Sequence, residues 1–179
     1  MDGMIYMGER VKKRLRYCGQ NVTIHPLAKI CRPEVVHIGN FTTVGDYTFM
    51  WGGQGIIIGE HCHIQVRSSV WGGGRLMIGN YVSVGLHSVL LTAVYNHKDG
   101  KHMVDHVTND LQAETIFGEL IIEDDVYIGA HCTILPVKIG QGAIIGAGSV
   151  VIQDVNSHGI YVGSPARQIG IRPKLEMTK

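Results

Sequence analysis

His97, His102 and His106 share one polar stretch, from Tyr95 to about Phe117, with four carboxylates: Asp99, Asp105, Asp110 and Glu114. An imidazole is the side chain best suited to take a proton near neutral pH, because its unperturbed pKa is about 6.5. A carboxylate beside it can orient the ring through its second nitrogen, although solvated loop charges are the commoner case. A general base must also be held firmly. His97 stands closest to the ordered-looking segment Leu90-Leu91, so it is the better base; His102 and His106 lie farther out. The other seven of the ten histidines carry less information. His61, His87 and His131 each follow an aliphatic residue by three positions, which puts them at one outward-facing turn position of a repeat. His25, His37, His63 and His158 have no distinguishing context.

The elements that must position these groups are set by that repeat. Cys18-Gly19-Gln20, Ile38-Gly39-Asn40, Ile58-Gly59-Glu60 and Ile78-Gly79-Asn80 recur every 20 residues, and Trp51-Gly52-Gly53 returns as Trp71-Gly72-Gly73. Within a unit an aliphatic residue returns every six: Ile58, Ile64, Val70 and Leu76, then Ile78, Val84 and Leu90. Small residues such as Thr42, Cys62, Ser68 and Ser88 recur at a fixed offset. A six-residue beat is neither a helix face nor a long alternating strand. It fits a short strand and a tight turn, three times per coil, with the two surplus residues bulging at the Trp-Gly-Gly corner. Stacked coils then pair as parallel strands, and the chain reads as an all-β solenoid.

Composition agrees. Twenty-four glycines, 7% aromatics and 45% hydrophobic residues in 179 positions suit one tightly turned domain. A net charge of +1 excludes a polyanion partner such as nucleic acid. No segment offers the ~20 continuous apolar residues of a membrane span, and no leader is visible, so a cytoplasmic location is expected. Cys62 and Cys132 occupy small repeat positions, where packing explains them without disulfides.

Residues 1–17 lie outside the repeat. Arg10, Lys12, Lys13, Arg14 and Arg16 surround Val11 and Leu15 there. Capping the open first coil explains this arm better than a basic patch for phosphates does. The repeat occupies 18–170, with a C-terminal tail at 171–179. It breaks after Leu91: Ile122 follows Ile78 by 44 residues instead of 20, so a loop of 24 residues, at about 95–117, is spliced into one corner. A second slip, of one residue, falls at Pro136-Val137 and predicts a local kink.

The repeat, the inserted loop, and the block from Ile121 to Arg167 (Ile128-Gly129-Ala130-His131, Ile145-Gly146-Ala147-Gly148, Ser164-Pro165-Ala166-Arg167) resemble the hexapeptide-repeat acyltransferases, sugar O-acetyltransferases in particular. That resemblance implies a left-handed parallel β-helix; handedness comes from it alone, since crossovers ordinarily favour the opposite hand. It implies acetyl-CoA as co-substrate in a slot between neighbours of a homotrimer. Gly129, Ala130, Ala147 and Gly148 would lie along the pantetheine arm and Arg167 near the nucleotide end, with Arg172 standing in for a second basic residue. It places the catalytic base at His97. Gln65 takes the position of an acceptor-binding amide. From the residues themselves, Trp71 and Trp51 stack on one corner, either as an aromatic shelf beside the acceptor or as a ladder bracing the bulged coils, and Asp99 is the loop carboxylate assigned to the acceptor side or to orienting His97. The implied reaction is direct acetyl transfer to a sugar hydroxyl, with an amino sugar on a nucleotide carrier as the alternative acceptor and no metal required. A second class, resembling γ-class carbonic anhydrases, would use His61, His97 and His102 as zinc ligands, but that family's Gln-Asp pair is Gln65-Val66 here.

Overall fold

The computed structural model describes residues 6–104 and 111–173; residues 1–5, Asp105, His106, Asp110 and the end of the tail lie outside the described residues. Each six-residue unit forms a strand of two to four residues and a turn, and three units make a coil. The strands stack into three parallel sheets. The first runs through Val36–Ile38, Gly55–Ile58, Arg75–Ile78, Glu119–Ile122 and Lys138–Ile139. The second includes His63–Ile64, Ser83–Val84, Tyr127–Ile128 and Ile144–Ile145. The third includes Phe49–Trp51, Ser69–Trp71, Val89–Leu91, Thr133–Ile134 and Val150–Val151. This is the left-handed parallel β-helix that the resemblance implies.

The inward aliphatics stack in columns because registers align like with like. Ile58 pairs with Ile78, Ile64 with Val84, and Leu90 with Ile134. All are buried. Small residues beside them tie the coils together: Thr42 Oγ1 donates to Gly59 O (2.8 Å), Ser88 Oγ to Gly129 O (2.9 Å) and Cys62 Sγ to Gly79 O (3.0 Å). Burial pushes the Cys62 and Cys132 thiols up, which suits packing and not nucleophilic chemistry.

The three turn histidines divide between two corners instead of sharing one. His61 lies between the first and second sheets, its ring stacked between Phe41 (4.9 Å) and Tyr81 (5.0 Å). His87 and His131 stack on each other at 4.8 Å between the second and third sheets. The same repeat position serves both corners, which sequence spacing cannot tell apart.

The ends are closed. A 3-10 helix, Gly8–Arg14, buries Val11 against the first coil, while Glu9 Oε1 accepts the Ile24 amide at 3.0 Å. At the far end Gly159–Val162 is followed by Arg167–Ile171, which turns back antiparallel on it. The boundary expected at 170 therefore falls inside a strand, and Arg172 Nη1 reaches back to Asp125 O at 2.9 Å.

The one-residue slip is absorbed at the corner. Leu135 N donates to Val151 O and Ile121 N to Val137 O, both at 3.0 Å, so pairing continues on either side of Pro136. No helix among the described residues is long and apolar enough to cross a membrane.

Candidate functional site

The inserted segment starts earlier than its polarity predicts. Ala93–Tyr95 and Thr115–Phe117 pair antiparallel, Val94 opposite Ile116, and form a ribbon that leaves the corner between the third and first sheets. β-branched and aromatic residues at five of these six positions, all but Ala93, favour the extended state. The ribbon is seated by Gly118 N, which donates to Thr92 O (2.8 Å), and by Gly74 N, which donates to Thr92 Oγ1 (3.0 Å). Gly74 admits no side chain there: a Cβ would come within 2.2 Å of the Thr92 and Gly118 carbonyl oxygens.

His97 follows the first ribbon strand by two residues, in a turn, and its side chain is exposed. The turn is built by its neighbours. Asn96 N donates to Glu114 O (2.8 Å), and Asn96 Oδ1 accepts the Lys98 amide (3.1 Å). Asp99 accepts the Lys101 amide on Oδ1 (3.1 Å) and the Glu114 amide on Oδ2 (3.2 Å). Those amides, that of Lys101 foremost, hold its carboxyl below the usual range. Asp99 is thus a clasp between the two arms of the insert, its oxygens committed to backbone amides. His102 continues the closure: its amide donates to Leu111 O, and its carbonyl accepts from Ala113 N.

At the foot of the ribbon lies a cavity of about 310 Å³. Trp51, Trp71, Tyr95 and Phe117 wall it, and Gly72, Ala93, Val94 and Thr115 complete its lining. The two indoles stand 6.1 Å apart and are tilted by 50°. Tyr95 and Phe117 went unassigned in the sequence because they mark the ends of the insert; only the antiparallel pairing brings them over the Trp-Gly-Gly corner.

The residues assigned to the cofactor lie on another corner. Gly129, Ala130, Ala147 and Gly148 sit in turns between the second and third sheets, coupled by Gly148 N to Ala130 O (2.8 Å). Close stacking excludes larger residues: a Cβ on Gly129 would lie 2.5 Å from Ala147 N. Val150 N donates to Gly163 O (2.9 Å) and Ala166 N to Val150 O (2.8 Å), so Gly163–Ala166 continues that corner by one more coil. Arg167 follows, exposed, its guanidinium bonded to Ala166 O (2.9 Å), beside a second cavity of about 140 Å³. Arg172, the second basic residue considered for the nucleotide end, is paired here with the Asp125 carboxylate (3.2 Å).

Gln65 sits in the turn before the strand Ser69–Trp71, on the corner of Gly129, with its Nε2 3.5 Å from Ser83 Oγ, whereas Trp71 ends that strand at the next corner. Within one chain the fold therefore gathers His97, Asp99 and Trp71 at one corner. Gln65, Gly129, Ala130, Ala147, Gly148 and Arg167 fall at the next. His61 lies on the third corner, so His61, His97 and His102 do not converge within a chain.

Comparison with known proteins fits this geometry. A family described as the hexapeptide repeat of succinyl-transferase matches residues 119–153. A dTDP-4-amino-4,6-dideoxy-D-glucose acyltransferase of Escherichia coli is 31% identical over 96% of this chain and 91% of its own. AntD, an N-acyltransferase from Bacillus cereus, superposes with a TM-score of 0.85 at 30% identity, covering 93% of this chain and 89% of AntD; that structure holds dTDP-4-amino-4,6-dideoxyglucose and coenzyme A. A hexapeptide-repeat acetyltransferase from Vibrio cholerae, complexed with acetyl-CoA, aligns at a TM-score of 0.59 and 25% identity over 93% of this chain and 78% of its own. The chain belongs to the hexapeptide-repeat acyltransferases.

Proposed function

We propose that this protein transfers an acyl group from acyl-CoA to the amine of a nucleotide-linked amino sugar, with His97 as general base. The observation that carries this is His97 on the ribbon above an aromatic cleft, in a chain whose relatives over nearly its full length are acyltransferases for a dTDP-linked amino sugar. The acceptor nitrogen attacks the thioester carbonyl carbon, the carbon–sulfur bond breaks, and an amide forms. His97 Nδ1 or Nε2 takes the proton released by the nitrogen and returns it to the departing CoA thiolate, so charge and protons balance. The corner carrying Ala130, Ala147 and Arg167 supports the CoA track, since small residues let a thin pantetheine chain approach the backbone. That track and His97 occupy different corners of one chain. A homotrimer in which one copy's ribbon meets a neighbour's CoA corner would complete the site. A hydroxyl acceptor is the second reading, favoured by an exposed imidazole able to deprotonate an alcohol.

The deciding experiment supplies acetyl-CoA with matched 4-amino and 4-hydroxy nucleotide-sugars and with free sugars, and follows CoA release. Release with the amino nucleotide-sugar alone is expected. Equal or faster release with the hydroxy compound makes the enzyme an O-acyltransferase, and release with free sugars alone removes the nucleotide-linked acceptor. At limiting acyl-CoA, co-expressed His97→Ala and Arg167→Ala chains should show more activity than either homotrimer, if two copies share one site.

A further inference from the structure

We infer that the cleft between Trp71, Trp51, Tyr95 and Phe117 receives the nucleobase of the acceptor, so that the ribbon which carries His97 also forms half of a stacking site. The inference rests on the proposed nucleotide-linked acceptor and locates one part of it.

Three observations carry it. First, Trp71 is braced and yet open. Phe49 and Trp51 hold it at centroid distances of 5.5 and 6.1 Å, both tilted, while 54% of its surface remains exposed. An aromatic fixed by its edges with a free surface is a preorganised platform for a flat ring. Second, the opposite wall is aromatic too, and the backbone makes room between them. Gly73, at φ +84°, separates the Phe117 ring from the Trp51 indole. A Cβ there would lie 3.4 Å from Phe117 Cε1 and 3.7 Å from Trp51 Nε1. Gly72 cannot carry a side chain either, since a Cβ would meet Ala93 N at 2.4 Å. Third, the chemistry of the cleft suits a base better than a sugar ring. Its walls are π surfaces, which stack on every nucleobase. Its side-chain polar groups are the Thr115 and Tyr95 hydroxyls and the two indole N–H groups, which can meet the edge of a ring. No carboxylate or amide side chain, the usual partners of sugar hydroxyls, lines it among the described residues.

The cleft's place selects the acceptor's base over the adenine of CoA. It adjoins the strand that leads into His97, whereas the small-residue track and Arg167 follow the neighbouring corner. A base bound at the foot of the ribbon would leave the attached diphosphate and sugar to extend toward its His97 turn.

The chain supplies its own probe, because its two tryptophans both line this cleft. Tryptophan emission of the intact protein, excited at the red edge of the indole band, should be quenched saturably by dTDP, and neither by CoA nor by an unlinked hexose. Trp71→Ala should raise KM for the nucleotide-linked acceptor roughly 10-fold or more while leaving KM for acyl-CoA unchanged. Trp71→Phe should restore most of the loss, and both variants should keep the parent Tm. Quenching by CoA but not dTDP would assign the cleft to adenine and overturn the inference. So would turnover of the amino nucleotide-sugar with no dTDP quenching and an unchanged acceptor KM in Trp71→Ala; the proposed function would then stand without it. Saturable dTDP quenching in an enzyme that acylates only free sugars would keep the base site and remove the proposed acceptor. Absence of both quenching and nucleotide-sugar turnover removes both.

Discussion

The coils and the ribbon solve opposite problems with the same chain. In the coil ending at Leu91, Ile78, Val84 and Leu90 are all at most 3% exposed, and each pairs with a like residue on both sides. Two residues later the ribbon begins, and Tyr95, Ile116 and Phe117 are each about half exposed. The coil buries its apolar groups and leaves few options for chemistry. The ribbon leaves them uncovered and ends in a turn whose amides are fixed by Asn96 and Asp99 while His97 stays accessible. Burial is concentrated in the repeat, and the proposed chemistry where the repeat is interrupted.

The largest test of that division is His97→Ala. Loss of a positioned general base should lower kcat by roughly 10²–10⁴-fold, with Tm unmoved because the side chain is exposed. A matching fall in Tm would show that the turn supports the fold and would break the division.

The converse test is Gly85→Ala. A Cβ there would lie 2.5 Å from Gly129 C and 2.6 Å from Ala130 N, both backbone atoms that cannot yield cheaply. We expect a loss of about 1–3 kcal/mol, or several degrees of Tm by thermal melting. Gly100→Asn in the ribbon turn should be close to neutral: nothing stands within 4 Å and asparagine tolerates its φ of +68°. Equal Tm losses in the two variants would contradict the contrast.

Arg167 sharpens the comparison, since it is a solenoid residue assigned to binding. Arg167→Ala should raise KM for acyl-CoA roughly 10-fold, the scale of one charged hydrogen bond, and leave KM for the acceptor alone. Parallel loss for both substrates would indicate disturbance of the terminal coil.

The smallest effect concerns pH. The hydrogen bond with Lys138, at 2.7 Å, and then the Gln141 amide hold Glu123 below its ordinary 4.5. A carboxylate with a lowered folded-state pKa stabilises above its unfolded value and ceases to do so as pH falls through its folded pKa. Glu123→Gln should therefore lower Tm slightly at neutral pH and flatten the acid limb below about pH 4.5. An unchanged acid limb would show the partly exposed pair contributing nothing.

Much of the fold was written in local spacing. The six-residue aliphatic beat specifies the core columns: one each in the second and third sheets, and two in the first, where strands such as Arg75–Ile78 turn both Leu76 and Ile78 inward. Leu91 marked the point of interruption, and Ala130 and Ala147 stood out through the block around them. The ribbon's first strand was hidden: Ala93-Val94-Tyr95 is too short for a periodic signal, and Tyr95 pairs with Thr115, 20 residues away. The antiparallel return of Arg167–Ile171 was hidden for the same reason, so Arg172 was offered to a phosphate, whereas here it is paired with Asp125.

By itself the sequence determined the solenoid, its period and the site of its interruption, since each depends on residues near one another in the chain; His97 is proposed as base on the same local grounds. Only the tertiary structure decided which corner each turn occupies. It placed His61 apart from His87 and His131, Gln65 apart from Trp71, and the ribbon apart from the small-residue track. It also joined Tyr95 and Phe117 to Trp51 and Trp71 in one cleft. A period of six repeats identically at every turn, and the three corners become different only when coils stack and an insert is seated on one of them.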